Sequence, residues 1–210
     1  ITASVADQIV TTGALNIGAS AGSTTASSLD LSSGSASFGS MTVRMGTTTN
    51  PGSANPSSTI TIGKDYSLNV SGVVNVGASV GSTLYSSIKF TGEGSFNVGS
   101  SNAATNSDFN IGLGQGVPNY VTLNMEELGN FNAYLGTGNF LIGSDVYVSG
   151  KSGAASSTIS FAKNTSITAS SIKLQNQVAG SDSTLKLGSG TNVLNVDNLW
   201  ITGNNSRSSS

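Results

Sequence analysis

The sequence predicts an all-β fold, a right-handed parallel β-solenoid of about six to seven three-strand coils, with residues 1–203 as a single domain. Three observations predict it. A five-residue phrase returns at a period of roughly 26 to 36 residues, the mark of a stacked repeat. Its apolar residues alternate with polar ones, the period of two of a strand with one buried face. No apolar run recurs at helical spacing, and Gly, Ser, Asn and Thr separate the short strands.

The phrase itself marks one face of each coil, called here the second face. Its copies are Ser27-Ser28-Leu29-Asp30-Leu31, Ser58-Thr59-Ile60-Thr61-Ile62, Ser86-Ser87-Ile88-Lys89-Phe90, Val121-Thr122-Leu123-Asn124-Met125, Ser157-Thr158-Ile159-Ser160-Phe161 and Ser183-Thr184-Leu185-Lys186-Leu187. Stacked on one another, they place Leu29, Ile60, Ile88, Leu123, Ile159 and Leu185 in one inward column, with neighbouring strands about 4.8 Å apart. A third face follows at near-constant distance, with Phe38, Leu68, Phe96, Phe131, Ile167 and Val193 as its expected inward column. An apolar pair before each phrase supplies the first face, with the expected column Ile17, Val43, Val76, Ile111, Val148, Leu174 and Ile201. Duplication is visible in the wording, since Gly13-Ala14-Leu15-Asn16-Ile17-Gly18-Ala19-Ser20 returns as Gly72-Val73-Val74-Asn75-Val76-Gly77-Ala78-Ser79.

Corners and ends complete the pattern. Glycine follows strands at positions such as Gly18, Gly77, Gly92 and Gly143, where a sharp turn favours a residue without a Cβ. The three prolines, Pro51, Pro56 and Pro118, fall between predicted strands, where a missing donor breaks no ladder bond. Trp200 and Ile201 begin a further coil, and Asn204 to Ser210 reads as a polar, disordered tail. With no helix predicted to cap the stack, its strand edges are expected to stay open and to pair with more solenoid, either of the same chain or of a second copy. A start at Ile1 suggests a processed or excised segment of a longer protein.

Composition narrows function. The chain has no cysteine and no histidine, 9% charged residues and a formal net charge of −2. Disulfide frameworks and thiolate metal sites are excluded. Eight scattered basic residues do not make the clustered positive surface that phosphate binding requires, so no nucleic acid is expected as partner. No apolar stretch approaches the roughly 18 residues of a membrane span, so no membrane insertion is expected within this segment.

A Gly/Ser/Asn-rich, cysteine-free coil repeat, with units such as Gly94-Ser95-Phe96-Asn97-Val98-Gly99-Ser100 from Gly13 to Ile201, resembles the β-helical passenger regions of bacterial autotransporters and filamentous-haemagglutinin-type adhesins. The resemblance implies an extracellular, cell-surface stalk or adhesive fibre.

Glycoside hydrolysis needs two carboxyl groups facing one cleft. Glu126 and Glu127 are the one adjacent acidic pair, and consecutive strand residues point to opposite faces, so a solvated corner is the preferred reading and no catalytic residue, metal site or cofactor is expected. Asn16, Asn75 and Asn110 on the first face, and Asn69, Asn97 and Asn132 on the third, occupy equivalent outward positions and predict axial amide ladders. Tyr147 and Trp200, outward on the first face, are the candidate contacts for a host or cell-surface glycan, because exposed aromatic rings stack on sugars.

Overall fold

The computed structural model describes residues 8–18, 27–43, 57–77, 79–80, 84–100, 107–112, 114–115, 119–143, 156–174 and 182–201. Among these residues there are twenty β-strands and no helix, and every strand pair is parallel. The fold is a β-solenoid of stacked three-sided coils.

The second face holds β3 (Ser28–Leu31), β6 (Ser57–Ile62), β10 (Leu84–Thr91), β14 (Asn119–Asn124), β17 (Ser156–Ser160) and β19 (Asp182–Lys186), stacked in that order. The third face holds β1 (Gln8–Val10), β4 (Ser35–Phe38), β7 (Ser67–Val70), β11 (Ser95–Gly99) and β15 (Asn130–Tyr134). The first face holds β2 (Ala14–Ile17), β5 (Ser40–Val43), β8 (Val74–Val76), β12 (Phe109–Ile111) and β16 (Asn139–Ile142). Two long strands, β18 (Asn164–Leu174) and β20 (Asn192–Ile201), run through both the third and the first face and join them into one sheet. A small extra pair, β9 (Ser79–Val80) with β13 (Gly114–Gln115), lies in the connections between first and second faces.

Those connections are not alike. From the second face to the third the chain takes three to five residues, at 32–34, 63–66, 92–94, 125–129, 161–163 and 187–191. From the first face to the second it takes seven to thirteen. The short corner is closely packed against its neighbours. Asn130 N–H donates to Gly94 O and Asn164 N–H to Gly129 O, both at 3.1 Å, so the corners are hydrogen-bonded coil to coil like the strands. A Cβ on Gly129 would lie 2.1 Å from Glu93 O, and Gly92 combines the same close approach to Ile62 O with a φ of 86°. Only glycine fits either place.

The core runs along the axis. Inward residues such as Ile60, Leu68, Val74, Ile111, Leu123 and Ile172 are fully or almost fully buried. Six of the seven phenylalanines form one internal chain of rings: Phe90 stacks on Phe96 at 4.9 Å, Phe109 stacks on Phe140 at 4.8 Å, and Phe131 and Phe161 join them at 5.5 to 5.8 Å. Each buried ring removes a large apolar area from water, and the offset and edge contacts add to that burial.

Register corrects several expected columns. On the second face Phe90, not Ile88, lies beside Ile60, and Ile88 lies beside Ser58. The slip is two residues, which keeps every side chain on its own side of the sheet, whereas a slip of one would turn the core out to water. On the third face Ala36, not Phe38, neighbours Leu68, and Phe131 neighbours Thr165, while Ile167 lies beside Ala133. Thr165 tolerates its inward place by donating its hydroxyl to Ala162 O at 3.4 Å. Val193 points outward beside Ser166 and Leu194 takes the inward place, because between paired positions the corner before β20 (187–191) is one residue longer than that of the coil below (161–164). On the first face Ile142, not Val148, continues the column between Ile111 and Leu174. Tyr147 and Val148 lie outside the described residues, as does the tail from Asn204.

Candidate functional site

The outward columns are built by alternation: wherever an inward apolar residue is fixed, its neighbours in sequence must face solvent. On the third face the column reads Val10, Ser37, Asn69, Asn97, Asn132, Ser166 and Val193. Asn97 Nδ2 donates to Asn69 Oδ1 at 2.8 Å, and Asn132 Nδ2 donates to Asn97 Oδ1 at 2.9 Å. At the foot, Asn69 Nδ2 donates to Ser37 Oγ of the coil below at 3.3 Å and to Ser67 Oγ of its own strand at 3.0 Å. Each amide thus bonds along the axis, with donors pointing toward the N-terminal coil.

The first-face column reads Asn16, Thr42, Asn75, Asn110, Leu141, Lys173 and Trp200. Asn110 Nδ2 donates to Asn75 Oδ1 at 2.9 Å in the same sense. Thr42 stands between Asn16 and Asn75, so the amides are not contiguous there. Above Asn110 the column changes to Leu141, and Asn110 Oδ1 is buried with no hydrogen-bond partner. Trp200 closes the column, about half exposed, next to Lys173.

Further polar links, unread in the sequence, stitch coils together. Ser171 Oγ donates to Asn139 Oδ1 at 2.6 Å, Thr61 and Thr91 share a hydroxyl contact at 2.9 Å, and Asn164 Oδ1 accepts the Thr191 N–H at 3.1 Å. Knowing the register would have revealed them, since every pair falls on matched positions of neighbouring coils.

Glu126 and Glu127 occupy the short corner between β14 and β15, both exposed. They do not act as a pair. Glu127 binds Lys89 of the coil below and Glu126 binds Lys186, two coils above, while Glu93 binds Lys163 at 3.2 Å. The Lys186 ammonium, by hydrogen bond and by charge, holds the Glu126 carboxyl below its ordinary value, which keeps it ionised. A general acid for glycoside cleavage needs the opposite shift. The corner therefore reads as an ion-pair strip spanning four coils, formed of exposed pairs of small individual worth.

The terminal coil differs from all others. Leu199 and Ile201 continue inward columns yet are 53% and 75% exposed, and Val193 and Trp200 are exposed beside them. Among the described residues, six of the eight exposed large hydrophobic ones lie in the first or last described coil: Val10, Leu187, Val193, Leu199, Trp200 and Ile201.

Among the described residues no group of three acidic, His or Cys side chains is placed to hold a metal ion, and no helix is long and apolar enough to cross a membrane. Compared with protein-family models, with curated proteins and with solved structures, the chain matches none.

Proposed function

We propose that this protein is a non-enzymatic, extracellular structural or adhesive β-solenoid, a fibre or stalk element of a cell surface that associates through strand pairing at its open ends. The observation that carries the reading is the last coil, where β20 pairs only with β18 among the described strands and leaves Leu199 and Ile201 uncovered. Such an edge is a template for further pairing. The repeat structure supports a mechanical role, because nearly all described inward positions are committed to the core and several outward amides bond along the axis. The resemblance to autotransporter passengers and filamentous-haemagglutinin-type adhesins supplies the extracellular placement. Small-angle scattering of the purified chain tests the first part: a rod-like profile is expected, and a globular one overturns it. Antibody labelling of intact producing cells tests the second, and labelling only after permeabilisation overturns it.

A second reading, a glycan-binding adhesin, is favoured by one observation, the half-exposed Trp200 at the top of the first-face column beside Lys173. Its partner Tyr147 lies outside the described residues. A glycan array with hits that vanish in Trp200→Ala supports this reading, and an array without hits removes it.

A further inference from the structure

We infer that the outer surface of the second face binds the surface of an ice crystal, holding its ordered water through one column of hydroxyls: Ser87, Thr122, Thr158 and Thr184, on β10, β14, β17 and β19. This surface is lateral, so it goes beyond the fibre reading and stands apart from whatever meets the end of the stack.

Strand register brings the column together. Ser87 lies beside Thr122, Thr122 beside Thr158, and Thr158 beside Thr184. Each alternates with inward neighbours such as Ile88, Leu123 and Ile159, which are buried, so the hydroxyl residues face outward and the three threonines are exposed.

These hydroxyls are left for solvent. On the third face the outward Asn69, Asn97 and Asn132 bond to one another along the axis, which occupies their polar groups. By contrast, the Thr122, Thr158 and Thr184 hydroxyls have no hydrogen-bond partner among the described residues. Threonine is stiff at χ1, so a stacked column holds hydroxyl and methyl in a fixed repeat.

The repeat matches water. Stacked strands set the threonines about 4.8 Å apart. Waters bonded tetrahedrally at about 2.75 Å place second neighbours about 4.5 Å apart. Across three threonines the mismatch accumulates to about 0.6 Å, close to the spread of ordinary O–H···O lengths, so all three hydroxyls can engage one lattice row together.

Charge points the same way. The next outward column holds Thr59, Lys89, Asn124, Ser160 and Lys186. Its lysines are drawn toward the short corner, Lys89 to Glu127 and Lys186 to Glu126, and Asn124 Oδ1 turns there to accept the Glu126 N–H at 2.9 Å. Both cations are thereby neutralised and held aside from the threonines. A neutral lattice suits such a surface, whereas an anionic ligand needs free cations. A sugar chain calls for exposed aromatic rings, and neither column contains one.

Ice recrystallisation in a frozen sucrose film tests the assignment. The full chain is expected to hold grain growth well below that seen with an equal concentration of a globular protein without repeats. Thr158→Lys is expected to lose about tenfold in potency, because the contacts of a rigid array act together. Asn195→Lys, an exposed change on the third face, should keep it. Both variants are compared at an unchanged urea midpoint; if Thr158→Lys unfolds early, Thr122→Lys carries the same expectation. Failure of the parent chain to slow grain growth, or equal potency of the threonine variant and Asn195→Lys, overturns the ice-binding column. Sedimentation with insoluble cellulose or chitin, lost in Thr158→Lys while ice growth is unaffected by the parent, overturns it too and assigns the hydroxyls to a neutral polysaccharide. The fibre reading stands in every case.

Discussion

The central coils and the terminal coil obey the same alternating pattern, yet only the central ones are buried. Phe131 and Phe140 are fully covered, whereas Leu199 and Ile201, inward by the same rule, are mostly in water. The difference teaches that in a solenoid burial belongs to the interface between coils and not to the coil. The contrast belongs to the C-terminal coil, since Leu15 and Ile17 in the first described coil are buried although β2 pairs with β5 alone among the described strands.

The sharpest way to break that comparison is to truncate one residue in each region. Phe131→Ala removes a ring in contact with Phe96, Phe109 and Phe161, and is expected to cost about 3 to 5 kcal/mol in urea unfolding. Leu199→Ala in the monomer should cost under about 1 kcal/mol, because most of its side chain is already hydrated. Equal losses would mean that the terminal coil is covered in solution. Next in size is Gly129→Ala, whose new Cβ meets Glu93 O and must push two coils apart; a loss of about 1 to 3 kcal/mol is expected from the same measurement. Ser189→Ala, at an exposed corner position of the terminal coil, should be near neutral.

Asn97→Ala sharpens the comparison at the surface. It strands Asn69 Oδ1 and Asn132 Nδ2 together, so a loss of about 1 to 2 kcal/mol is expected, while Asn195→Ala on exposed β20 should change little. The smallest effect is electrostatic. Since Lys186 lowers the Glu126 pKa in the folded chain, the stability it contributes is present above the ordinary glutamate range and is lost as pH falls through the lowered value. Urea midpoints measured against pH should show this acid-side loss, reduced in Lys186→Gln and in high salt. An unchanged pH profile in that variant would remove the link.

How much of this was legible in the sequence depends on the kind of corner. The short corner keeps near-constant length, so Leu68, Phe96 and Phe131 could be aligned by counting, and the amides at Asn69, Asn97 and Asn132 followed from them. Counting failed where that corner changed by one residue, as before Val193, because a single insertion reverses the parity of every residue beyond it. It fails again at Ile142, because Phe140-Leu141-Ile142 and Val146-Tyr147-Val148 carry the same alternation in sequence. The two-residue slip at Phe90 leaves no trace in the hydropathy pattern at all. Ion pairs such as Glu126 with Lys186 were beyond reach for a related reason: their partners lie 60 residues apart and meet only through the stacking.

The unequal corners also decide where this molecule can be edited. The corners between second and third faces are short and hydrogen-bonded coil to coil, whereas the longer connections from first to second face already range from seven to thirteen residues without disturbing the columns on either side. They act as the margin of a page whose lines are set: an epitope, a reporter or a new recognition loop can be written there, for example between residues 46 and 57, with no revision of the text that holds the fold together.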